Sequence, residues 1–89
     1  VTGEVVGNGM KEQAVQTLAN MKAVLEAAGL AVTDIAKTTV FVTNMDDFAA
    51  FNEVYAAFMG EHRPARVCVE VSNIAHGCLL EMDAICFKE

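Results

Sequence analysis

The sequence has 89 residues, of which 54% are hydrophobic, and it carries a net charge of −6. This length allows one domain at most, and no apolar run is long enough to cross a bilayer. The six basic residues are scattered along the chain, so binding to nucleic acid or to an anionic membrane is disfavoured as a main function. A domain this small cannot easily bury so large a fraction of apolar side chains in its own core. The composition therefore favours a surface that binds a partner, most simply further copies of the chain.

The first third of the chain predicts a loop, a helix and a turn. Residues 1–9 are glycine-rich and predict a loop, in which Asn8 can cap the helix that follows. Apolar residues then recur every three or four positions over 10–28, which predicts an amphipathic helix. Gly29 stands where a left-handed C-terminal cap belongs, and residues 33–36 predict a short turn.

The middle of the chain predicts a strand followed by a second helix. The β-branched run 37–43 is apolar on both faces, which is typical of a strand inside a sheet. Residues 44–47 carry capping and acidic side chains that favour a helix start, and the apolar residues of 48–59 then repeat at helical spacing. Gly60 and Pro64 end this helix. With the next strand, these elements can form a parallel unit with a right-handed crossover.

Two final strands are predicted at 66–72 and 79–87, joined by the connection 73–77. Because these strands are consecutive, we expect them to pair as a hairpin, in a register that places Arg66 and Glu81 on one face about 13 Å apart. Both helices must bury their apolar stripes, most simply on one face of the resulting mixed sheet. Three strands are few for two such helices, so we expect further strands upstream of the given sequence.

Two charged residues of these strands are candidates for chemistry. Arg66 presents a planar fork that can bind a carboxylate through two hydrogen bonds, although a surface or interface ion pair is the plainer alternative. Glu81 interrupts an otherwise apolar strand. Its carboxylate can orient a water molecule as a general base, or it can pair with Arg66 or with a helix end.

Cys68 and Asn52 are the uncharged candidates for the site, and the cysteines and histidines are the possible metal ligands. Cys68 shares the face of Arg66, but His62 and His76 have no triad relation to it, so we expect a packed or site-lining thiol. Asn52 is the lone polar residue between two apolar ones in the second helix and can bond a neighbouring loop. The cysteines and histidines lack the spacing of a zinc site, so no metal is expected, and free thiols favour a reducing compartment.

Six segments together resemble the Rid family, also called YjgF or L-PSP: 23–30, 34–42, 47–48, 52–55, 64–71 and 80–85. The resemblance implies an α+β fold of the chorismate-mutase-like type, with two helices on one face of a mixed sheet. It also implies a cytoplasmic (or, in a eukaryote, mitochondrial) homotrimer with substrate clefts between subunits. The implied activity is a cofactor-independent deaminase that hydrolyses 2-iminopropanoate and 2-iminobutanoate to 2-keto acids and ammonia.

By the same resemblance, Arg66 grips the carboxylate of the 2-imino acid and Glu81 holds the attacking water, while Cys68 and Asn52 belong to the substrate site. Family members also have N-terminal strands that nothing here matches, so residues 1–89 are expected to form a single but N-terminally incomplete domain. The loop 73–78 lacks the family's usual Leu-Pro-Lys sequence. Two alternatives remain: an endoribonuclease, which the acidic charge disfavours, and a non-catalytic regulatory trimer that binds 2-keto acids.

Overall fold

A computed structural model describes residues 9–88 of the chain. The predicted cap Asn8, like the rest of 1–8, lies outside the described residues, and Gly9 holds the N-cap position of the first helix. This helix, α1, spans Met10–Ala27 and confirms the prediction from periodicity. Gly29 follows it with φ of 76°, the left-handed conformation that glycine adopts without a steric penalty.

The predicted strand and second helix are both present. Strand β1 spans Ile35–Val42 and helix α2 spans Phe48–Met59. A short 3₁₀ turn precedes α2, and the Asn44 side chain accepts a hydrogen bond of 2.9 Å from the backbone N–H of Asp46 at its start. Gly60 ends α2 with φ of 63°, so the sequence signals for the start and end of this helix were read correctly.

The order of the strands corrects the predicted hairpin. Strands β2, Ala65–Glu70, and β3, Leu80–Cys86, do not pair with each other, because β1 lies between them in the order β2-β1-β3. β2 runs parallel to β1, as the strand–helix–strand unit predicted, and β3 runs antiparallel to it. The connection 71–79 is longer than the roughly two to five residues of a hairpin loop, so it can carry the chain past β1. The strand that is apolar on both faces thereby occupies the centre, where both faces can be covered.

Both helices lie on one face of the sheet, as expected, and the core lies between the two layers. The largest fully buried side chains are those of Phe51, Leu18, Ile35, Val40, Val42 and Thr38. The other face carries no α-helix of the described residues, and apolar side chains remain exposed there. Neither of the two helices is long and apolar enough to cross a bilayer.

Two hydrogen bonds fix the ends of β3 to the rest of the domain. The side chain of Gln13, which is 7% exposed, accepts a hydrogen bond of 2.7 Å from the backbone N–H of Leu79. At the other end, the backbone N–H of Phe87 donates to the carbonyl of Asp34 over 2.8 Å. A buried glutamine on α1 therefore sets where the last strand begins.

Candidate functional site

Arg66 stands on the edge strand β2 and projects to the face of the sheet that the helices cover. Its register partner on β1 is Thr38, which is fully buried beneath the helices. The Nη1 of Arg66 donates a hydrogen bond of 2.6 Å to the Oδ1 of Asn52 on α2. The structure thus brings together two of the predicted site residues, and the partner of Asn52 is a side chain rather than the loop backbone expected from sequence.

Two aromatic rings of α2 lie against the same guanidinium. The Cζ atom of Arg66 is 5.1 Å from the ring centroid of Phe48 and 4.7 Å from that of Tyr55. Both distances lie within the range in which a cation is attracted to an aromatic face. The guanidinium is therefore held by one hydrogen bond and two ring contacts, which leaves its remaining N–H groups free to bind a ligand.

The charge of Arg66 is not neutralised within the described part of the chain. The one ion pair found among residues 9–88 joins Lys11 to Glu53 over 3.1 Å, and both side chains are exposed. The intrachain ion pair that we considered for Arg66 is therefore absent from this range. A guanidinium that is oriented by neutral partners and lacks a carboxylate is suited to bind an anion.

A cleft of about 450 Å³ opens beside Arg66, between α2 and the segment that enters β2. Its wall combines the polar groups of Asn52 and Arg66 with the apolar surfaces of Tyr55, Met59 and Pro64. His62 and Arg63 also line the cleft, so polar and apolar groups share its wall. Convergent polar groups beside apolar surface are typical of small-molecule sites. A ligand with a carboxylate head and a short aliphatic tail would match this distribution.

Cys68 follows Arg66 by two residues and faces the same layer, packed against the edge of the core. Burial raises the pKa of its thiol, and the neighbouring Arg66 charge only partly offsets that effect. The Nε2 of His62 is 2.7 Å from the carbonyl oxygen of Ile35, so this nitrogen donates its hydrogen there and cannot serve as a base for the thiol. These features favour a packed, protonated cysteine over a nucleophile, as the sequence indicated.

Glu81 lies on the opposite, helix-free face of the sheet, and the expectation that it shares a face with Arg66 is wrong. Its register partner on β1 is Phe41, whereas that of Arg66 is Thr38. An offset of three residues along a strand reverses the side-chain direction, and it separates the two residues by about 10 Å along β1 and about 10 Å across it. Glu81 lines a separate hollow of about 220 Å³. One copy of the chain cannot bring these two side chains to the same substrate atom.

The sequence reasoning missed the aromatic part of the site. Phe48 and Tyr55 were both assigned to the ordinary core stripe of the second helix. A signal was available, because Phe48 and Tyr55 lie four residues before and three residues after Asn52. Positions at these spacings share one face of a helix, so the asparagine and the two rings had to point the same way.

Comparison with known proteins identifies the family that the sequence motifs resemble. The family model described as Endoribonuclease L-PSP matches residues 1–88, and the chain belongs to this family, the one that the sequence motifs resemble. The 2-iminobutanoate/2-iminopropanoate deaminase of Escherichia coli is 49% identical over 90 residues, a match covering 98% of this chain and 70% of that protein. A RutC family protein of Pyrococcus horikoshii is 51% identical over 88 residues, covering 99% of this chain and 70% of that protein.

The fold is likewise that of this family. The crystal structure of Escherichia coli TdcF with bound serine superposes with a TM-score of 0.91 at 44% identity. The match covers 99% of this chain and 71% of that one. The chain therefore has the α+β, chorismate-mutase-like fold expected from the resemblance, with two helices on one face of a mixed sheet.

Proposed function

We propose that the protein is a deaminase that hydrolyses small 2-imino acids, such as 2-iminobutanoate and 2-iminopropanoate, to 2-keto acids and ammonia. The observation that carries the proposal is the guanidinium of Arg66, which Asn52 orients over 2.6 Å and which has no carboxylate partner within residues 9–88. Two comparisons support a ligand of the amino-acid type: the name of the Escherichia coli deaminase, and the serine bound in the similar structure of Escherichia coli TdcF.

In the proposed reaction, Arg66 binds the substrate carboxylate and so positions the imine carbon. A water molecule held by Glu81 attacks that carbon, and the carboxylate accepts the proton released as the C–O bond forms. The same proton is then delivered to the nitrogen, which gives a carbinolamine. The carboxylate next takes the hydroxyl proton as the carbonyl forms and delivers it to the amino group, so the C–N bond breaks and ammonia leaves. Water and imino acid are thus converted to keto acid and ammonia, a balanced reaction that uses only groups of this chain.

The proposed active site lies between copies of the chain. Arg66 and Glu81 occupy opposite faces of one sheet, so the general base at a given Arg66 is Glu81 of a neighbouring copy. The helix-free face offers the surface for association, since Val67, Val69 and Ile85 are 42%, 37% and 61% exposed there. An exposed apolar patch on a sheet is typical of a protein interface. We propose a homotrimer, as in the family resemblance, and the three unbridged cysteines fit a reducing compartment such as the cytoplasm.

The direct test is turnover of 2-iminobutanoate by the Arg66→Ala variant. We expect loss of activity with the fold and the assembly retained, because the exposed side chain contributes to substrate binding more than to the core. Lys22→Ala removes one positive charge from the exposed surface of α1 and serves as the charge-matched control, with activity near that of the unmodified protein. Near-normal turnover by Arg66→Ala would refute the assigned role.

The family description favours a second candidate, an endoribonuclease. RNA binding depends on clustered basic residues, and this chain has 6 basic against 12 acidic ones. Cleavage of RNA by extensively purified protein, lost in Arg66→Ala, would support this alternative. Binding of 2-ketobutyrate without any turnover would instead indicate a regulatory binding protein.

A further inference from the structure

Beneath the guanidinium of Arg66 lies a pair of hydroxyl groups that the reaction itself does not use. The hydroxyl oxygen of Thr38 is 2.9 Å from the phenolic oxygen of Tyr55, and the two residues are 0% and 7% exposed. Thr38 is also the register partner of Arg66 across the β1–β2 ladder. The same strand position therefore supports Arg66 through the backbone and Tyr55 through its side chain.

The ring of Tyr55 links this pair to the site. The phenolic hydroxyl of Tyr55 is hydrogen-bonded to Thr38, and the ring centroid lies 4.7 Å from the Cζ of Arg66. The same centroid is 5.4 Å from that of the Phe51 ring in the core. A cation–π contact depends on the cation lying over the ring face, so it depends on how the ring is tilted. The hydroxyl pair restricts that tilt, because a ring rotated away would leave two buried hydroxyl groups without partners.

We infer that Thr38 and Tyr55 are positioning residues for substrate binding, which hold the Arg66 guanidinium in the orientation that accepts a carboxylate. This inference rests on the proposed function of Arg66 and adds two residues to it. Neither residue contacts the reacting atoms in this account. Both act through Arg66, while Asn52 fixes the guanidinium from α2. Thr38 is fully buried, whereas the ring of Tyr55 also forms part of the cleft wall.

The inference predicts a defect in ligand affinity with little change in the chemical step. In Thr38→Val and in Tyr55→Phe the hydroxyl pair is lost while the side-chain volume is nearly kept. We expect the Kd for 2-ketobutyrate and the KM for 2-iminobutanoate to rise about two- to fivefold, the share that a cation–π contact at an exposed site contributes. The kcat should stay within about twofold, because carboxylate binding is equal in the ground and transition states.

Three further variants separate positioning from stability. Thr38→Ser keeps a hydroxyl and should restore the affinity. The double variant should be no weaker than either single one, because both remove the same interaction. Ile35→Val weakens the same strand at a buried position without touching the pair, and should lower the Tm while leaving the Kd unchanged.

Tyrosine emission provides a direct readout of the pair. Tyr55 is the single tyrosine of the chain and there is no tryptophan, so this emission reports on one ring. We expect 2-ketobutyrate to change the emission in the unmodified protein, with a midpoint that matches the calorimetric Kd. Thr38→Val should alter the emission of the free protein as well.

Unchanged affinity in Thr38→Val and Tyr55→Phe, or additive losses in the double variant, would overturn the inference. So would a tyrosine emission that does not respond to ligand while calorimetry reports binding. Failure of the proposed function looks different, because Arg66→Ala would then turn over the imino acid normally. If Arg66→Ala is inactive and Thr38→Val binds normally, only the positioning role is refuted.

Discussion

Replacement of Arg66 by lysine tests whether the shape of the cation matters as well as its charge. A guanidinium has five N–H donors, and the hydrogen bond to Asn52 uses one of them. The remaining donors can form two parallel hydrogen bonds to a carboxylate, whereas an ammonium group forms one. A hydrogen bond to a charged group contributes about 1.5–3 kcal/mol, so Arg66→Lys should lower kcat/KM for 2-iminobutanoate about 10- to 150-fold.

The assay follows ammonia release from 2-imino acid generated in situ by an amino acid oxidase. Most of the loss should fall on KM, since the carboxylate is bound alike before and during the attack on the imine. Lys22→Ala, on the exposed surface of α1, controls for the general effect of changing a cation. Full activity in Arg66→Lys would contradict the two-bond geometry and would reduce the role of this residue to a point charge.

Three further predictions concern the scaffold and the thiol. Gln13→Leu leaves the half-buried N–H of Leu79 without its acceptor and should destabilise the fold by about 1 kcal/mol in thermal or denaturant unfolding. Gln13→Glu keeps an acceptor and should cost less. The raised pKa of Cys68 means that the folded state holds the thiol proton more tightly than the unfolded chain does. The contribution of this thiol to stability should therefore fall as the pH rises above the ordinary pKa of a thiol. Alkylation should be slower in the native protein than in denaturant, and faster alkylation of the native thiol would contradict this. Lys11→Met removes the exposed pair with Glu53 and should change the free energy of unfolding by no more than about 1 kcal/mol, an effect that salt should diminish.

Local patterns in the sequence predicted the elements well. The helices at 10–28 and 48–59 and the central strand at 37–43 were each found within two residues, because their apolar periodicity and end signals are local properties of the chain. Of the four site residues that the family resemblance implied, Arg66 and Asn52 line the cleft, whereas Glu81 lines a separate hollow and Cys68 packs against the core. Arg66 and Asn52 do contact each other, although nothing in their sequence separation indicated a bond of 2.6 Å.

Strand pairing could not be predicted from the same local patterns. The apolar alternation of β3 is compatible with pairing to β1 as well as to β2. The hairpin between β2 and β3 was expected only because these strands are consecutive in the chain. The length of the connection 71–79 was the signal against it. The error carried a functional consequence, because one wrong pairing moved Arg66 and Glu81 onto a common face. Side-chain direction reverses with each residue, so a site that spans strands depends on register.

The most direct test of a shared active site is complementation between two inactive variants, Arg66→Ala and Glu81→Gln. Copies of the two are refolded together in equal amounts, mixed assemblies are verified by native mass spectrometry, and 2-iminobutanoate turnover is measured. A site between copies is intact when its Arg66 comes from a Glu81→Gln copy and its Glu81 comes from an Arg66→Ala copy. In an equal mixture each condition has a chance of one half, so about one quarter of full activity should return. If each site lay within a single chain, the verified mixed assemblies would stay inactive, and that result would contradict the account.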